Sequence, residues 1–158
     1  MQEQKQIDDK NYILTDDLKE LAKNVIEKEK TTLHFNDDDT LKIGYMYVYP
    51  NITNTVAARC IKSAKELKFF SNYDYIIQFS GELFDTLSEE VKYILMYHEL
   101  SHIEVNYNKK GKKILKIRDH TVKDFKIILE RYGINWLNII QESTASLYDL
   151  DDSNKVTL

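Results

Sequence analysis

The sequence predicts a small α+β domain, and three observations carry that prediction. Helix-period apolar patterns are interleaved with two strand-like runs rich in Tyr, Ile and Val. The chain has 158 residues, a length that suits one core. It contains only four Gly and one Pro, and no linker or internal repeat divides it.

The elements follow in order. Residues 1–12 are polar and read as a flexible tail. Thr15 is placed to cap a helix running to about Glu29, with Leu18, Leu21, Ala22, Val25 and Ile26 on one face. Asn36 to Thr40 is a polar turn. Its three adjacent acids lack the spacing and the closing Glu of a calcium loop. Leu41 to Tyr49 reads as a strand, stopped by Pro50 and Asn51.

Residues 54–70 carry two patterns. Val56, Cys60, Ala64 and Leu67 have helical spacing, while Cys60-Ile61-Lys62 also suits a short edge strand before a turn. Periodicity favours the helix. Tyr73 to Phe79 is a clearer strand, closed by Ser80-Gly81, and a short link leads to Ser88.

Ser88, Glu89 and Glu90 mark a helix start, a capping hydroxyl followed by carboxylates that suit the positive end of the helix dipole. Val91, Ile94, Leu95 and His98 form one stripe, and Tyr93, Met96, Tyr97 and Leu100 form its neighbour. A helix apolar on most of its circumference is a buried one. The pattern runs to about Val105. A basic loop (NYNKKGKK, 106–113) and a short strand at Ile114 to Ile117 follow. Asp119-His120-Thr121 opens another helix, to Tyr132, with Val122, Phe125, Ile128, Leu129 and Tyr132 inward. Gly133 stands where a C-terminal cap belongs, with Ile134 as its apolar contact. Asn135 to about Leu147 forms a last helix, and residues 149–158 an acidic tail. The domain proper is residues 13–148.

Composition narrows the function. Net charge is −4 and no aromatic stacking pattern accompanies the basic loop, so no nucleic-acid partner is expected. No apolar run reaches the length of a membrane span, and the N-terminus lacks the apolar core of a signal peptide. The single Cys, Cys60, excludes a disulfide within one chain. A cytoplasmic protein is the expectation, and oligomeric state is left open.

One motif states a chemistry. His98-Glu99-Leu100-Ser101-His102 is an HExxH match on the buried helix. Histidines at i and i+4 share a helix face, so both imidazoles can bind one zinc ion. Glu99 beside the first can then act as general base toward water. Catalytic zinc takes three protein ligands and keeps one position open. The candidates for the third are His120, Asp119, Glu130, Glu142 and His34. His34 has no distinctive setting, nor have Glu130 and Glu142. His120, at the start of its helix, is held rigidly near a dipole that favours the neutral imidazole a metal needs. Asp119 or Asp124 could hold its other ring nitrogen.

Several segments in order resemble the putative phage metallopeptidase family. YDYIIQFSGELFDTLSEEVKYILMYHELSHI is similar to its strand, link and active-site helix. KIRDHTVKDFKIILERYGINW is similar to its downstream His-Asp helix and closing Tyr-Gly. ARCIKSAKELKFF resembles an upstream segment, which argues for an edge strand near residues 57–63. The resemblance spans about residues 40–137. It implies a zincin-like fold, a short mixed or antiparallel sheet packed on the active-site helix and flanking helices. It implies zinc held by His98, His102 and His120, Glu99 as base, and a peptide or protein substrate. By analogy the substrate lies along an edge strand. Tyr97, Tyr107 and Tyr132 are all near enough in sequence to stabilise an oxyanion. The alternative is a zinc-stapled protein-binding module without turnover.

Overall fold

The structure is a computed structural model, and it describes residues 10–35, 40–120 and 125–148. Its strands are β1 (Asn11–Leu14), β2 (Ile43–Tyr49), β3 (Ala58–Lys62), β4 (Tyr75–Ser80), β5 (Ile103–Tyr107) and β6 (Lys113–Ile117). Its helices are α1 (Asp16–Lys28), α2 (Lys65–Ser71), α3 (Gly81–Thr86), α4 (Glu89–Leu100), α5 (Lys126–Tyr132) and α6 (Asn135–Tyr148). The α+β expectation holds.

Four strands form a mixed sheet in the order β1-β2-β4-β3. β2 and β4 run parallel, while β1 and β3 pair antiparallel on the outside. The central β4 is buried at Tyr75, Ile77, Gln78, Phe79 and Ser80, which explains its nearly unbroken apolar run. β5 and β6 form a separate hairpin. The Tyr75 hydroxyl docks that hairpin on the sheet by donating to the Lys116 carbonyl at 2.8 Å.

Where the structure departs from the sequence patterns, tertiary partners explain it. Residues 58–62 are the edge strand β3, not a helix. Cys60 pairs with Ile77 on the otherwise open side of β4, and this ladder outweighs a weak helical period. The helical signal survives only downstream, as α2. The link after Ser80 is itself a helix, α3. A Cβ on Gly81 would stand 2.4 Å from the Tyr49 ring, so this glycine permits a close approach at the start of α3. α4 ends at Leu100 rather than near Val105. The β-branched Ile103 and Val105 go into β5, and Val105 N–H donates to the His34 carbonyl at 3.0 Å.

β1 begins at Asn11, inside the span read as tail. Residues 1–9, the polar turn at 36–39 and the acidic tail at 149–158 lie outside the described residues. Gly133 caps α5 as expected, with φ 70° and its N–H on Leu129 O at 2.9 Å. Ile134 is exposed, however, and does not fold back as the apolar contact.

α4 is buried at Val91 and at every position from Ile94 to Leu100. Ser88 caps it, its hydroxyl accepting from Val91 N–H at 3.3 Å. α1 packs beside α4, and β3 packs on it from the sheet side. The buried Glu29 at the end of α1 accepts from the Tyr93 hydroxyl at 2.9 Å and pairs with Arg131 of α5. This charge pair binds α5 to α1 and α4, so the helices below the sheet hold one another in place.

Candidate metal centre

The last turn of α4 carries His98 and Glu99, and His102 follows in the turn after its C-cap Ser101. His98 and Glu99 have no solvent exposure, and His102 has 8%. After α4, β5 and β6 turn back so that Arg118 meets His102 twice. Arg118 N–H donates to the His102 carbonyl at 2.6 Å, and the His102 Nδ1 lies 2.7 Å from the Arg118 carbonyl. A carbonyl can only accept, so Nδ1 carries the proton and Nε2 keeps its lone pair. Burial pushes the His102 imidazole down to about 4, with His98 and His120 adding to the shift. It is therefore neutral at pH 7, as metal ligation requires.

Two residues past Arg118, the chain brings His120 to the same point. The ring centroids of His98, His102 and His120 form a nearly equilateral triangle with sides of 5.1, 5.2 and 5.3 Å. Zinc–nitrogen bonds of about 2.0–2.1 Å in a tetrahedral site would place imidazole centroids about 5.2 Å apart. The candidate ligand nitrogens lie within 4.8 Å of one another, against about 3.3 Å in that ideal. Ring position already matches, so rotation of the rings rather than movement of the backbone closes the difference.

The helix expected from Asp119 to Tyr132 is not continuous. His120 is part-buried outside regular structure, α5 starts at Lys126 with Phe125 extended at its N-cap, and residues 121–124, Asp124 among them, lie outside the described residues. His120 nonetheless arrives at the site. What brings it there is the pairing of His102 with Arg118.

The other candidates lie elsewhere. His34 is exposed and bridges to Glu104. Glu130 pairs with Lys126 at 3.5 Å on an exposed face of α5, and Glu142 is exposed on α6. Asp119 is exposed and acts on His102 through charge. Of the tyrosines, Tyr97 bonds its hydroxyl to Thr32, and Tyr107 is 61% exposed at the end of β5. Tyr132 interacts with Arg131, on the Glu29 side of α4.

Sequence reasoning missed the aromatic wall. Phe125 packs on all three histidines, with centroids at 5.2, 5.0 and 5.6 Å from His98, His102 and His120. Trp136 lies 5.6 Å from His98. Both were legible only as core residues. Glu99, fully buried on α4, also lies within electrostatic reach of β3. Burial first, and then the Glu99 charge, raise the thiol of Cys60 on β3.

A family model described as putative phage metallopeptidase matches residues 10–148. The chain belongs to this family. The match extends past the segments recognisable by eye at both ends, taking in β1, α1 and α6. Comparison with curated proteins and with solved structures returns no match. Among the described residues, no helix is long and apolar enough to cross a membrane.

Proposed function

We propose that the chain is a zinc-dependent peptidase in which His98, His102 and His120 hold the metal and Glu99 is the general base. The carrying observation is the triangle of three imidazoles with Glu99 beside it on α4. Three imidazole nitrogen donors with no thiolate suit zinc and leave a fourth position for chemistry. When bound, zinc would supply a Lewis acid that polarises the scissile carbonyl and lowers the pKa of water to about 7.

The remaining work falls to the protein. The Arg118 carbonyl holds the His102 tautomer, so Nε2 rather than Nδ1 faces the centre. Glu99 accepts the proton of the attacking water and returns it to the leaving amine. Phe125 and Trp136 exclude bulk water from the imidazoles. β3 is an edge strand packed on α4, with Cys60 in electrostatic reach of Glu99. A substrate added along β3 in extended form would pass the base, a zincin-like arrangement.

Glu99→Gln tests this reading. The variant keeps its zinc and its fold, and loses about 10²- to 10⁴-fold in peptide hydrolysis. Zinc content and cleavage of a peptide library are the measurements. Unchanged cleavage removes Glu99 from the chemistry. No cleavage by the zinc-loaded wild type favours a zinc-stapled binding module instead.

A further inference from the structure

Arg118 has a second property that its backbone role does not use. Its guanidinium carbon stacks over the Phe125 ring at 5.0 Å, and Phe125 in turn packs on all three histidines. Among the described residues no carboxylate forms an ion pair with it, although Asp119 is the next residue and Glu104 lies on the adjoining strand. The group is only partly buried. An arginine seated over an aromatic ring and still partly exposed can turn N–H donors to a carboxylate in bidentate fashion.

Position makes this relevant to a peptide. A backbone hydrogen bond at 2.6 Å and a bond from the His102 Nδ1 to the Arg118 carbonyl at 2.7 Å fix Arg118 beside His102, and His120 is two residues on. An extended substrate advances about 3.3 Å per residue, so the groups within two residues of the scissile bond lie about 7 Å away. That distance is within reach of an arginine side chain anchored next to a metal ligand.

We propose that Arg118 forms a carboxylate-recognition subsite, and that the preferred substrates present a carboxylate within about two residues of the cleaved bond. This rests on the peptidase reading above. The carboxylate is either an Asp or Glu side chain or the free C-terminus of a short peptide, and both offer the same planar pair of oxygens.

The test uses zinc-loaded, full-length Glu99→Gln protein as a trap. It is incubated with a pool of synthetic peptides, half with free and half with amidated C-termini. Retained peptides are expected to be enriched in Asp or Glu at one position, or to be free acids only, and this distinguishes the two sources. Arg118→Ala in the same background should lower retention of those peptides roughly ten- to hundred-fold, the range expected for loss of a charge-assisted hydrogen bond. Its zinc content and melting temperature should be unchanged. Arg118→Lys should restore part of the binding.

Enrichment that survives Arg118→Ala, or the absence of any carboxylate preference, overturns the proposal. Loss of zinc in Arg118→Ala also overturns it, since the residue would then act only through His102. If Glu99→Gln does not fold, wild-type cleavage kinetics decide. Arg118→Ala should raise KM on carboxylate-bearing peptides with kcat unmoved, and leave amidated, acid-free peptides unaffected. Cleavage without carboxylate preference sinks this proposal but leaves the peptidase reading standing. Carboxylate-dependent retention without cleavage by the wild type does the reverse.

Discussion

The two sides of the centre are built differently. His98 stands on, and His102 directly after, a helix buried on nearly every side, capped by Ser88 and flanked by α1 and β3. His120 stands on a part-buried irregular segment, tied to the end of α4 by a backbone bond and an imidazole-to-carbonyl bond between His102 and Arg118. One side is organised by the core before any metal arrives. The other would gain more of its order from a bound metal, because a ligand group without regular structure must be fixed at an entropic cost. The metal should therefore stabilise the two sides unequally.

Chelation sets the largest contrast. At zinc concentrations about a thousandfold above its dissociation constant, binding contributes about 4 kcal/mol of stability, lost when the metal is stripped. Hydrogen exchange should then rise around residues 118–120 and 125 while α4 stays protected. Equal loosening of α4 would show that the helix depends on the metal too. Melting curves with and without chelator give the overall change.

Removing single ligands sharpens the same contrast. Structural zinc sites bind with about 10–16 kcal/mol over four ligands, so each protein ligand carries roughly 3 kcal/mol, or about a hundredfold in affinity. His98→Ala and His102→Ala should reach that loss. His120→Ala should lose less, and His34→Ala nothing, as measured by competition with a zinc-binding dye. If His120→Ala and His34→Ala behave alike, His120 leaves the site.

How far the sequence reveals this asymmetry depends on the range of the interactions. α4 was legible because its signals are local: a cap, first-turn acids, and two apolar stripes that the burial of Val91 and Ile94 to Leu100 bears out. The HExxH spacing is local in the same way. His120 was reachable only as a candidate, and the helix expected to run unbroken through it to Tyr132 is interrupted by the extended Phe125 before α5 starts at Lys126. Its position depends on a hairpin that pairs residue 102 with residue 118. The β3 strand is similar, because residues 58–62 become a strand through Ile76, Ile77 and Phe79, almost twenty positions away. The early end of α4 comes from β5 pairing with β6 and from the contact with His34. The aromatic wall of Phe125 and Trp136 gave no signal beyond apolar character.

Acid probes the helix side through His102. Its imidazole sits at about 4 in the folded protein, well below the usual value of 6.5, chiefly because it is buried. The unfolded chain thus takes up a proton first as pH falls. The stability linked to this group is fully present above about pH 6.5 and is lost progressively as pH drops toward 4. The metal-free protein should accordingly melt lower at pH 5 than at pH 7.5. His102→Gln should flatten that slope, and an undiminished slope would assign it to other groups.

The smallest expected effect concerns the cap. If α4 is organised by burial, its end contacts should matter little to the metal. Ser88→Ala removes the hydroxyl that accepts from Val91 N–H, at a cost of about 1 kcal/mol. For a domain of this size the melting temperature should fall by about 2–4 °C. Zinc affinity should not change, because His98 and His102 lie two to four turns away at the other end of α4, held by their own neighbours. A measurable loss of affinity in Ser88→Ala would mean that fraying at one end of α4 reaches the other. The helix side would then be no more independent of its surroundings than the segment that carries His120.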